Sequence, residues 1–132
     1  MKRAWQDAAL HGDEAGLRAM LVTGEGVDSL DRYGQTALML AARNGHAAVV
    51  RALLDAGADL DHTAKYGLSA LMLATINDHD RVARLLTEAG ADAGITGTGA
   101  PGFAGKTALD LARDLGRESI AELLSSPSSE ET

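Results

Sequence analysis

The chain repeats itself, and that fact limits its possible folds more than any other. The stretch beginning at Asp31, DRYGQTALMLAARNGHAAVVRALLDAGADLD, registers without a gap on AKYGLSALMLATINDHDRVARLLTEAGADAG from Ala64, a spacing of 64 − 31 = 33 residues. Tyr33 falls on Tyr66, Gly34 on Gly67, Thr36 on Ser69, and Ala37 to Ala41 on Ala70 to Ala74. The same step puts His46 on His79 and Gly57-Ala58-Asp59 on Gly90-Ala91-Asp92. Taken backwards, it lays Ala8-Ala9 under Ala41-Ala42, Gly12 under Gly45 and Met20-Leu21 under Leu53-Leu54, so a weaker copy fills the N-terminus. A unit of this size cannot bury its own apolar face, so the copies must stack.

A fourth copy resumes at Gly105-Lys106-Thr107-Ala108-Leu109-Asp110-Leu111-Ala112. Its offset is 107 − 69 = 38, so 38 − 33 = 5 residues are inserted before it, within AGITGTGAPGF. Inside each copy the signals are those of two short helices. Thr36, Ser69 and Thr107 precede apolar helical stretches and can accept hydrogen bonds from free first-turn amides. Asp110 gives Thr107 a capping-box partner three residues on. Gly24, Gly57 and Gly90 follow Leu-rich segments where a left-handed closing residue is wanted. Gly12, Gly45 and Gly116 mark the turn between the two helices. Repeat three has Asp78 there, an Asx residue that tolerates left-handed backbone at some cost.

Composition sharpens this reading. Of 132 residues 45% are hydrophobic but only 3% aromatic, which fits packed helices rather than a sandwich. The chain has no cysteine, which removes disulfides, thiolate metal sites and cysteine catalysis. A net charge of -7 argues against nucleic-acid or anionic-membrane partners, whose affinity comes from a basic surplus. No apolar run approaches membrane-spanning length, and a cytoplasmic location is expected.

The pattern resembles the ankyrin repeat, whose G-x-T-P-L-H-x-A-A-x-x-G-H signature, aliphatic second helix and G-A-D close are matched over roughly residues 5–125. Departures are confined to a few positions: the family's Pro is Ala37, Ala70 and Ala108, and its His is Met39, Met72 and Asp110. The resemblance implies an all-α solenoid of stacked helix-turn-helix units joined by hairpin-like loops. The expected units are an N-terminal capping repeat over 1–30, repeats over 31–63 and 64–96, a Gly-rich insertion loop over 97–104, a C-terminal capping repeat over 105–125, and a disordered tail over 126–132. Trp5, 33 residues before Leu38, is expected to pack as a large cap on the first repeat.

Other chemistry is weighed against this frame. Ala100 to Thr107 looks like a relaxed phosphate loop with alanine for its first glycine. Yet Gly105 and Thr107 stand where the repeat needs a hairpin glycine and a helix cap, and no buried strand precedes them. The insertion is expected to be a flexible surface loop. The four histidines are spaced 35, 16 and 17 residues apart, too far for a short-range helical metal pair, so no metal and no cofactor are expected. The many carboxylates read as a solvated acidic face, and Met39 and Met72 as core filling.

The ankyrin resemblance further implies partner binding at the hairpin tips and exposed inner-helix positions. These are Arg32, Tyr33, Gln35, Arg43 and Asn44 in repeat two, and Lys65, Tyr66, Leu68 and Ile76 with Asn77 in repeat three. In repeat four they are Phe103, Lys106 and Arg113, with Ala104 and Asp114. Tyr33, Tyr66 and Phe103, with Arg32, Lys65 and Lys106, would form an aromatic and basic stripe on an acidic protein. The expectation is a monomeric, non-catalytic module that binds another protein presenting an acidic or apolar surface. An inhibitor or antidote that occludes a partner enzyme or toxin is the alternative, and nucleotide or phosphate binding at Lys106 a further one.

Overall fold

The computed structural model describes residues 1–24 and 26–125; the tail expected to be disordered, 126–132, lies outside the described residues. The helices are α1 (Arg3–His11), α2 (Glu14–Val22), α3 (Ala37–Asn44), α4 (Ala47–Asp55), α5 (Ala70–Ile76), α6 (Asp80–Glu88), α7 (Ala108–Leu115) and α8 (Glu118–Ser125). Inner helices α1, α3, α5 and α7 stack in chain order, and outer helices α2, α4, α6 and α8 form a second layer behind them. This is the all-α repeat solenoid expected from the period. No helix among the described residues is long and apolar enough to cross a membrane.

Side-chain caps start the inner helices α3, α5 and α7, as the sequence requires. Thr36 Oγ1 accepts from the Met39 amide at 3.2 Å and Ser69 Oγ from the Met72 amide at 3.3 Å. Thr107 Oγ1 accepts from the Asp110 amide at 3.2 Å, and Asp110 accepts from the Thr107 amide at 3.0 Å, which closes a capping box. Losing such a cap costs about 1 kcal/mol. The inter-helix turns take left-handed backbone at Gly12, Gly45 and Gly116, with φ of 77°, 76° and 72°. Asp78 occupies the same region at φ 61°.

Burial is deepest in the two central inner helices, α3 and α5. Trp5, Leu38, Met39, Leu40, Leu71 and Met72 are each at most 1% exposed, and Trp5 fills the role of a packing ring on the first repeat. Two ladders of polar contacts then tie each repeat to the next. At the turns, His46 Nε2 meets the Leu10 carbonyl at 2.7 Å, and His79 Nε2 meets the Arg43 carbonyl at 3.0 Å. Arg117 donates to the Ile76 carbonyl at 2.8 Å. The accepting carbonyls 10, 43 and 76 are spaced by the period itself. At the opposite end of the outer helices, Asp28 accepts from the Asp59 amide and Asp61 from the Asp92 amide, both at 2.8 Å.

The hairpin closures locate the insertion. Asp31 N donates to Gln35 O at 2.9 Å and Ala64 N to Leu68 O at 3.1 Å. In repeat four the equivalent bond is Gly97 N to Lys106 O at 2.9 Å, with five more residues inside it. The extra residues therefore lengthen one hairpin tip and leave the stacking of the helices intact.

Candidate functional site

The hairpin tips rise beside the exposed side of the inner helices, and the two together enclose a groove of about 520 Å³. Its floor is aliphatic: Leu10 from α1, Met39 and Leu40 from α3, Leu68 and Leu73 from repeat three. Tyr33, Tyr66 and Phe103 wall it from the tips, and Arg43 and Lys65 bring positive charge to its edge. Asp31 is the one carboxylate in the lining, and its Oδ1 already accepts from the amides of Tyr33 and Gln35, both at 2.9 Å. An Asx side chain that takes its own downstream amides in this way fixes a tight turn. Arg43 and Lys65 make no ion pair among the described residues.

The aromatic wall is not a uniform ladder. Tyr66 and Phe103 pack at 5.6 Å between ring centroids, tilted by 40°, in the range of a favourable aromatic pair. Tyr33 lines the same groove without touching that pair and is 66% exposed, against 38% for Tyr66. Each tyrosine carries its own cation: Arg32 lies 5.9 Å from the Tyr33 centroid and Lys65 lies 5.0 Å from that of Tyr66. A second recess of about 540 Å³ begins on the far side of Tyr33 and Gln6, with Arg3, Asp7 and Arg32 around it.

The insertion is tied down rather than left as a bare loop. Thr98 N donates to Tyr66 O at 2.7 Å, and Gly105 N to Gly97 O at 3.0 Å. A Cβ on Gly99 would sit 3.3 Å from the Tyr66 ring, so the glycine lets the loop lie against it. Tyr66 itself is held at φ 64°, a left-handed conformation that side chains rarely take. Such a residue persists where its surroundings over-determine it.

Of the twelve positions expected to contact a partner, the groove gathers Tyr33, Gln35, Arg43, Lys65, Tyr66, Leu68 and Phe103, while Arg32 borders the adjoining recess. Leu68 is only 8% exposed and reaches the groove as part of its floor, because its neighbours Gly67 and Ser69 turn the chain into α5. Asn44, Ile76, Lys106 and Arg113 lie outside the groove lining. The Asn44 amide donates to the Leu40 carbonyl and Asn77 repeats the bond to Leu73, both at 2.8 Å, so these two close the inner helices. Ile76 is half-buried against the core. Lys106 is paired with Asp114, which removes the third cation from the basic stripe.

The same details bear on the phosphate-loop likeness. Asp110 holds the Thr107 amide at the start of α7, and that bond, with the Thr107 hydroxyl, Arg113 and Lys106, keeps its carboxyl below the usual range. A negative charge already occupies the helix N-terminus, and the lysine beside it is neutralised by Asp114. Sequence reasoning missed Gln6 and Leu10, although the 33-residue step puts Leu10 under Arg43. It also missed that Met39, a core residue at 1% exposure, borders the groove from beneath.

A family model of ankyrin repeats matches residues 5–97 as three copies. Comparison with curated proteins finds no match.

Proposed function

The chain belongs to the ankyrin-repeat family, and from that premise we propose that it is a non-catalytic module whose groove, between the hairpin tips and the inner helices, binds a partner protein. Ankyrin repeats generally serve protein–protein interaction, and they are generally without catalysis. What favours this particular surface is one combination: an aliphatic floor, an aromatic wall and two cations with no ion pair among the described residues, on a chain of net charge -7. Aromatic rings and arginine are the side chains that most often carry binding energy at protein interfaces. Unpaired positive charge in an acidic molecule steers a partner toward one face.

Affinity capture tests the reading, with the native chain compared against a Tyr33/Tyr66/Phe103→Ala triple variant whose folding is checked by circular dichroism. A protein retained by the first and lost by the second is the expected result. Identical captured sets would remove the groove from consideration.

A further inference from the structure

The groove carries polar groups that an apolar surface patch of the partner would leave unused. Gln6 and Gln35 line it, and their side-chain amides hydrogen-bond to nothing among the described residues. Each amide offers both a donor and an acceptor, which is what an extended backbone presents and what a helix keeps for itself. Leu10, Met39, Leu40 and the Tyr33 ring line the same groove, as do the Arg43 and Lys65 cations.

Resting on the protein-binding reading above, we propose that the groove takes an extended acidic segment of its partner. The segment's backbone lies on Gln6 and Gln35, its carboxylates on Arg43 and Lys65, and its apolar side chains on the aliphatic floor. Stacked helices sit about 10 Å apart, and a polyproline-II-like chain climbs about 3.1 Å per residue, so three residues of the segment span one repeat. Leu40 and Leu73 lie one period apart in the floor, so the segment's aliphatic anchors recur at every third position. The braced Tyr66–Phe103 pair forms the wall at the insertion end, and Tyr33, with Arg32 against its ring, leads on to the second recess.

The test is a display library of random peptides of about twelve residues, enough to span the repeats at that rise. It is panned on the full chain, with an Arg43→Glu/Lys65→Glu variant as the counter-selection. Both side chains are exposed, so the variant is expected to keep the native urea midpoint. Enriched peptides should be rich in Asp and Glu, with aliphatic residues three apart. A labelled selected peptide should lose about tenfold or more in affinity for the charge-reversed variant, and weaken with added salt. A Gln6→Leu/Gln35→Leu variant should bind it several-fold more weakly, and proline within the peptide should be tolerated.

Three results would overturn the proposal: no peptide enriched over the variant, enriched peptides that are neutral or basic, or binding abolished by proline as for a helical ligand. Any of them, alongside a captured partner that still depends on Tyr33, Tyr66 and Phe103, would leave the protein-binding reading intact. Loss of both would end both.

Discussion

Repeats two and three share the Ala-Leu-Met-Leu-Ala core of their inner helices, yet they differ at both ends of the unit. At the tip, Asp31 locks the turn of repeat two from within by accepting two amides, whereas repeat three has Ala64 and cannot. Its tip turns instead through a left-handed Tyr66, held from outside by Thr98, Gly99 and Phe103. At the turn, repeat two has Gly45 and repeat three Asp78. Both departures of repeat three are answered by departures of repeat four: the insertion braces the tip, and Arg117 replaces the histidine at the turn. In a solenoid each unit touches only its neighbours, so a unit that drifts from the pattern must be accommodated by the next one.

The largest effect expected follows from cutting the brace. Excision of Gly99–Phe103 leaves a repeat-four tip of the repeat-two length, closed by the same Gly97–Lys106 bond, but removes the ring and the glycine that face Tyr66. Affinity for a groove-bound partner should fall about thirtyfold or more, the scale of a lost hot spot. Stability should fall by only about 1 kcal/mol, the value of an aromatic pair. Titration calorimetry and urea denaturation on one preparation separate the two numbers. An unchanged affinity would mean that Tyr66 holds its place unaided and that the two tips are equivalent.

The turns allow a more direct reversal. A Cβ on Gly12 would come within 2.7 Å of the His46 ring, and one on Gly45 within 2.6 Å of the His79 ring, so a histidine in one repeat demands a glycine in the repeat before it. Asp78 has a Cβ, and the residue reaching across its turn is Arg117, not histidine. Arg117→His should therefore cost about 1–3 kcal/mol through overpacking, and Asp78→Gly in the same chain should recover most of it. The double-mutant cycle measures the coupling. Additive effects would show the two substitutions in repeats three and four to be unrelated.

A smaller loss is expected when repeat two is made to resemble repeat three at its tip. Asp31→Ala strips a charged acceptor from the amides of Tyr33 and Gln35, worth about 1–2 kcal/mol in this half-buried turn. Repeat three supplies no loop to replace it. A midpoint in urea equal to that of the native chain would show that the carboxylate contributes nothing there.

These contrasts also mark how far the sequence could be read. The period, the caps at Thr36, Ser69 and Thr107, and the left-handed turns were legible because each follows from a local rule repeated in register. Asp78 was legible for the same reason, as an Asx residue in a glycine place. The role of Arg117 was not, although the 38-residue offset aligns it with His79, because the side chain changes while the carbonyl contact is kept. That Leu68 would lie in the floor of the groove was not legible, because the repeat register does not say how far a tip residue sinks toward the core. The brace on Tyr66 lay beyond reach: an insertion has no register, so nothing in its order of residues says which neighbour it will touch.

The smallest difference is one of acid sensitivity among the three caps. The third helical residue is Met39 in α3 and Met72 in α5 but Asp110 in α7, so only the last cap carries a titrating group. The Thr107 amide bond is the main cause holding the Asp110 carboxyl below its ordinary value of 3.8, so the native state binds that proton less readily than the unfolded chain. The stabilisation is then complete above the ordinary value and fades as pH falls through the depressed one, below about pH 4. Amide exchange at the first turn of α7 should accelerate over that window, relative to the intrinsic rate, while the Met39 and Met72 amides keep their protection. Asp110→Asn should abolish the difference, since a neutral side chain at that position has no proton to gain. Equal loss of protection in all three turns, with or without the substitution, would assign the acid response to the solenoid as a whole. It would leave repeat four with no cap chemistry of its own.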